Sequence, residues 1–150
     1  MKVKLLYVVL SFIIISCKQS DVASQSLETK ILSSKTILFE QQIDGNMISR
    51  PVIIETSSDI DNLKSYPIVI ALHGRGGSNT NWVQSLSHFT NSGEFIGVYP
   101  QGHLNSWNLG QEPSNANDPA FISIIIDTLL SYSNVDESKI FAIGSSNGSG

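Results

Sequence analysis

Lys139-Ile-Phe-Ala-Ile-Gly-Ser-Ser-Asn-Gly-Ser-Gly150 is the stretch on which the reading turns. Its apolar run, Ile140 to Ile143, leads straight into Gly144-Ser145-Ser146-Asn147-Gly148. This is G-x-S-x-G after a strand-like segment. The pattern is that of a nucleophile elbow, a sharp strand-to-helix turn that holds a serine with its hydroxyl exposed. Glycines two residues either side suit such a turn, because side chains there would collide with the neighbouring strand and helix. Ser146 is therefore the candidate nucleophile, and it would need a histidine base and an acid to orient that base. A second reading starts from composition. Ser145 to Gly150 could be a flexible linker, and Asn147-Gly148-Ser149 is formally a glycosylation acceptor. A linker, however, need not follow Lys-Ile-Phe-Ala-Ile.

Upstream, Pro67-Ile-Val-Ile-Ala-Leu72 is a wholly apolar, β-branched run of the kind that suits a strand buried on both faces. It empties into His73-Gly74-Arg75-Gly76-Gly77. A glycine-rich turn there can aim unobstructed backbone N–H groups at one point, as an oxyanion hole requires. The candidate donors are the N–H of Arg75 and that of Asn147, the residue after the serine. A plain strand-to-helix loop is the simpler alternative. A phosphate cradle is disfavoured, since neither G-x-G-x-x-G nor a P-loop lysine occurs. His73 reads as a structural hydrogen bonder rather than a base, and His88 and His103 as surface residues.

Asn79 to Phe89 has helical spacing through Trp82, Leu86 and Phe89. Phe95 to Tyr99 is a second buried strand. Leu104 to Asn117 is a loop rich in Asn, Gly, Pro and Ser, and its Trp107 either lines a substrate cleft or covers the end of the sheet. Asp118-Pro119 opens a helix, with aspartate as cap, running to about Ser133. Asn134 to Glu137 turns the chain into the last strand. This alternation of strands and helices predicts βαβ units and a parallel sheet. Before it, Lys35–Ile43 and Met47–Glu55 flank the turn signal Asp44-Gly45-Asn46 and predict an antiparallel hairpin.

The N-terminus has a different character. Lys2 and Lys4 precede an apolar run, Leu5 to Ile15, too short for a membrane-spanning helix. It ends Ile14-Ile15-Ser16-Cys17 before polar Lys18-Gln19-Ser20. This resembles a bacterial lipoprotein signal, in which Cys17 becomes the lipid-bearing first residue. An ordinary secretory signal with a chance cysteine is the alternative. The division expected is 1–17 signal, 18–34 a Ser/Gln/Asp-rich tether, and 35–150 the folded domain. At 150 residues one domain is the natural prior. A net charge of −4 without any basic run argues against a nucleic-acid partner. With one cysteine there is no internal disulfide, and no metal-binding motif or cofactor signature is present.

Several motifs occur in register: Leu72-His-Gly-Arg-Gly-Gly77, Tyr99-Pro-Gln-Gly102, Ser106-Trp-Asn108, Asp118-x-x-Phe121-Ile122, Val135-Asp136 and Ile143-Gly-Ser-Ser-Asn-Gly148. Over about residues 67 to 150 the chain resembles secreted polyhydroxybutyrate depolymerases and feruloyl esterases of the α/β-hydrolase superfamily. The resemblance implies a serine esterase acting on short polyester or aryl and acyl esters. It makes Ser146 the nucleophile, Arg75 and Asn147 oxyanion donors, and Trp107 a residue near the cleft. Many members carry aspartate where Gln101 stands, and another glycine where Ser149 stands. Their triad Asp and His would fall after Gly150.

The expected fold is thus an incomplete α/β-hydrolase, a mostly parallel sheet with an N-terminal antiparallel hairpin and an exposed apolar edge. The expected function is serine ester hydrolysis at a bacterial membrane, periplasmic or at the cell surface, with little activity in these 150 residues alone. Two rivals remain open. One is a non-catalytic lipoprotein that uses the scaffold as a binding module, and the other is a peptidase or lipase sharing the nucleophile.

Overall fold

A computed structural model describes residues 29–150. The expected signal with Cys17 lies outside the described residues, as does the expected tether up to residue 28. Five strands form one sheet: β1 (Lys35–Ile43), β2 (Asn46–Glu55), β3 (Tyr66–Leu72), β4 (Ile96–Pro100) and β5 (Val135–Gly144). Their order is β1-β2-β4-β3-β5. The hairpin is the expected one. Ile43 pairs with Asn46 across a two-residue loop, Asp44-Gly45, whose φ values of 49° and 78° are those a primed turn requires. β2 runs antiparallel to β4, and β3 lies parallel to both β4 and β5.

Two helices complete the βαβ units, α1 (Asn81–Asn91) between β3 and β4 and α2 (Asp118–Leu129) between β4 and β5. The first crossover moves toward β2 and the second moves back past β3. Right-handed crossovers in opposite directions put their helices on opposite faces of the sheet. α2 buries Phe121, Ile125 and Leu129 against Ile68, Ile70, Ile96 and Val98, and this cluster is the main core. The reversal of direction has a functional consequence. Open α/β sheets bind ligands at the carboxyl ends of strands where connections diverge, and here those ends are Leu72, Pro100 and Gly144.

Local differences from the expected boundaries have physical causes. α2 is capped by Asn117, whose side chain accepts the N–H of Ala120, and not by Asp118. Asp118 turns inward and pairs with the buried Arg50 at 2.7 Å. β5 begins at Val135, where a turn was expected, with an irregular register between its contacts to Tyr66 and Ile68. The end of the expected tether is fastened to the domain. Leu32 is fully buried, and the Asn134 side chain clasps its backbone from both sides (Leu32 N–H to Oδ1 2.8 Å, Nδ2 to Leu32 O 2.9 Å). β5 is an edge strand among the described residues, and Phe141 and Ile143 on it are 54% and 37% exposed. No described helix is long and apolar enough to cross a membrane.

Candidate active site

β5 ends at Gly144, and the chain turns sharply into a single 3-10 turn, Ser146–Ser149. Ser146 sits at φ 51°, in the left-handed region. For a non-glycine residue that conformation costs on the order of 1–2 kcal/mol and persists only where the surroundings enforce it. The flanking glycines are closely packed. A Cβ on Gly144 would overlap the carbonyl of Gly148. A Cβ on Gly148 would sit 2.5 Å from the carbonyl oxygen of His73 and 2.6 Å from that of Leu72. Gly148 is therefore explained by close approach to the end of β3, and Gly144 by the turn folding back on itself. Ser145 N–H donates to Leu72 O at 3.2 Å and ties the two strand ends together.

Ser146 is exposed, and its hydroxyl has no hydrogen-bond partner among the described residues. The glycine-rich turn after β3 lies against it: a Cβ built on Gly74 would be 3.5 Å from the Cβ of Ser146. That turn is held by two backbone bonds, Gly77 N–H to Gly74 O at 3.0 Å and Gly76 N–H to Asn105 O at 2.7 Å. The N–H groups of Arg75 and Asn147 have no internal acceptor among the described residues. The structure thus brings Ser146, Asn147 and the Arg75 turn together. Chemically, the arrangement presents a free hydroxyl beside backbone donors from two different elements, which suits acyl transfer.

His73 is 1% exposed and fully engaged. Its Nδ1 lies 2.8 Å from the Gly74 carbonyl, which can only accept, so Nδ1 carries the proton. Its Nε2 then accepts the N–H of Gly102 at 3.0 Å and the Gln101 amide at 3.1 Å. Gln101 also accepts the N–H of Asn79 and donates to Asn105 Oδ1, so one side-chain amide spans the carboxyl ends of β3 and β4. His88 is exposed on α1, and His103 is half-buried in a short 3-10 turn.

Trp107 is 4% exposed and belongs to the core. Its indole N–H donates to His73 O at 2.7 Å. It also lines a cavity of about 280 Å³ with Leu72, Leu109, Ile122, Asn147 and Gly148. That cavity adjoins the elbow without touching Ser146, so the two readings of Trp107, core and cavity wall, both describe it.

Three features escaped the sequence reading. The Asn147 side chain accepts Trp107 N–H (2.7 Å) and Ser106 Oγ (3.1 Å), and donates to Trp107 O (3.0 Å) and Glu112 Oε1 (3.2 Å). Glu112, with a side chain 3% exposed, also meets Arg75 Nη2 at 2.5 Å. Arg50 lies 2% exposed against Phe121, donates to Gln101 O and Gln41 Oε1, and pairs with Asp118. Burial lowers the Arg50 pKa, and Asp118 partly offsets that. The Asn of G-x-S-N-G was the one signal available, since a side chain with both donor and acceptor beside the serine can bind a facing loop. Among the described residues no group of three His, Cys, Asp or Glu could hold a metal ion.

No protein family and no curated protein matches the chain. Solved structures do. A thermostable esterase is 26% identical, with a TM-score of 0.53, over 75% of this chain and 35% of its own. An esterase from the planctomycete Thermogutta terrifontis is 16% identical, TM-score 0.59, over 77% and 41%. The 2,6-dihydroxy-pseudo-oxynicotine hydrolase is 18% identical, TM-score 0.54, over 75% and 30%. The chain has the α/β-hydrolase fold over the part that it spans, less than half the length of these structures. Within that superfamily, its fold is one that ester hydrolases use.

Proposed function

We propose that the chain is part of a serine ester hydrolase, of carboxylesterase or polyester-depolymerase type, with Ser146 as the acyl-enzyme nucleophile. The observation that carries this reading is Ser146 itself. It stands at positive φ at the end of a parallel strand, is flanked by glycines without room for a side chain, and lies against a glycine turn. Its Oγ attacks the ester carbonyl carbon, and the carbonyl oxygen takes the negative charge opposite the N–H groups of Arg75 and Asn147. The alcohol then leaves with the proton that Ser146 gave up. Water hydrolyses the acyl-enzyme by the same path in reverse.

The reaction needs a general base. His73 is unsuited, because both ring nitrogens are engaged. By the resemblance in sequence, the base and its orienting acid are a histidine and an aspartate after Gly150, and residues 1–150 alone are expected to turn over esters poorly. Trp107 and the cavity beside it are assigned to the wall of the substrate cleft. The T. terrifontis esterase binds propionate and butyrate, which supports short acyl esters as first probes. The resemblance in sequence extends the candidates to polyesters and aryl esters. Lipid on Cys17 would hold the enzyme at a bacterial membrane, in the periplasm or at the cell surface; labelled palmitate should enter the protein and be lost in Cys17→Ala.

The test is hydrolysis of p-nitrophenyl acetate and butyrate by the full-length protein. Turnover is expected, with loss in Ser146→Ala to the level set by binding and the oxyanion hole alone. Undiminished turnover in that variant would sink the assignment.

A further inference from the structure

We propose that Glu112 is a positioning residue for the oxyanion hole, a single covered carboxylate that holds the Arg75 turn and Asn147 to one loop. The proposal rests on the reading of Ser146 as nucleophile.

Glu112 divides its two oxygens between two tasks. Oε2 accepts the N–H groups of Leu109 (2.7 Å) and Gln111 (3.1 Å) and so fixes the carboxylate within its own loop. Oε1 faces outward from that loop and accepts from Arg75 Nη2 (2.5 Å) and Asn147 Nδ2 (3.2 Å). These last two residues own the two free backbone N–H groups beside Ser146, and they come from different elements. One follows β3 and the other follows β5. No backbone hydrogen bond joins Arg75 to Asn147 among the described residues. Glu112 supplies a link between them, through one oxygen atom.

The chemistry explains why such a link matters. Oxyanion donors act by being aimed before the charge develops, and a misplacement of about 1 Å is enough to lose much of the effect. The Arg75 side chain is 60% exposed, so its charged end would otherwise sample solvent. Charge-assisted bonding to a fixed carboxylate removes that freedom. These bonds also hold the Glu112 carboxyl below the usual carboxylate range, the N–H of Leu109 most of all. A carboxylate that only closed its own loop would need the Leu109 and Gln111 bonds and nothing more.

The experiment is a double-mutant cycle in the full-length protein, read as kcat and KM for p-nitrophenyl butyrate. The variants are Glu112→Gln, Arg75→Met and the pair, with Ser146→Ala alongside. Glutamine keeps the size of the side chain but meets Arg75 and the loop N–H groups with fewer acceptors. Glu112→Gln is expected to lower kcat by about tenfold or more, with KM within about twofold, the pattern of an interaction made in the transition state. In the Arg75→Met background the same change should cost much less, because the partner through which it acts is gone. An unchanged kcat, a loss confined to KM, or an equal loss in both backgrounds would overturn the proposal. If Glu112→Gln does not fold, Arg75→Met alone carries the test by the same criterion on kcat. Full activity in Ser146→Ala would instead bring down the nucleophile reading. An inactive Ser146→Ala with an unaffected Glu112→Gln would bring down this inference alone.

Discussion

Asn147 Oδ1 accepts the backbone N–H of Trp107 at 2.7 Å, and through it the turn after β5 is fastened to the loop after β4. Three further bonds from the same side chain complete the attachment. Asn147→Ala removes all four and leaves the buried Trp107 backbone without these partners. A loss of about 4 kcal/mol is expected from urea unfolding, since each of the four bonds is worth about 1 kcal/mol net. Asn147→Asp keeps the acceptor bonds but sets a second carboxylate against Glu112, and it should be no better than alanine.

Gly148 packs against two backbone carbonyls, and backbone cannot step aside as a flexible side chain can. Gly148→Ala is expected to destabilise by about 1–3 kcal/mol, the range typical of overpacking. It should also displace Ser146, so kcat in the full-length protein falls by more than the unfolded fraction accounts for. Circular dichroism melts beside kinetics separate the two effects.

Arg50 and Asp118 form a buried ion pair that links β2 to the first turn of α2. Removing one partner leaves a buried charge uncompensated. Asp118→Ala is expected to cost about 3–5 kcal/mol, while replacing both residues by apolar ones of similar size should cost far less. Chemical denaturation of the two variants measures the difference.

Tyr99 is fully buried, and its hydroxyl has no partner among the described residues. Burial, with Glu55 second, pushes its pKa up to about 12. A raised folded-state pKa stabilises fully below the unfolded value of about 10 and is lost as pH rises through about 12. Stability should therefore fall across this alkaline window. Tyr99→Phe should flatten that fall and leave stability at pH 7 unchanged or slightly higher, because no hydrogen bond is given up. Urea midpoints at pH 7 and pH 11 decide it.

The parts of the fold that could be read from the sequence were those written locally. Asp44-Gly45 fixes a two-residue turn, and the short, β-branched apolar runs at 67–72 and 95–99 suit buried strands, which they form. The elbow was legible because steric exclusion leaves glycine as the sole residue at 144 and 148. What stayed hidden was non-local. Leu32 is core because Asn134, over a hundred positions away, clasps it. Val135-Asp-Glu-Ser-Lys139 looks polar because it is an edge strand facing outward, so β5 starts earlier than its apolar residues suggest. Asp118 has the chemistry of a cap, and a partner on a distant strand claims it instead. Glu112 sits in a polar loop whose composition says nothing of Arg75 or Asn147.

The central claim is that Ser146 is the reacting atom's owner, and an organophosphate ester tests it without depending on the natural substrate. Paraoxon phosphorylates the T. terrifontis esterase, which has the same fold. In the full-length protein, attack of Ser146 Oγ on phosphorus would expel p-nitrophenolate and leave one diethylphosphoryl group on the serine. The account predicts one equivalent of p-nitrophenolate, a single adduct located at Ser146 by peptide mass spectrometry, and neither in Ser146→Ala. An adduct on another residue, or equal labelling of Ser146→Ala, would contradict it.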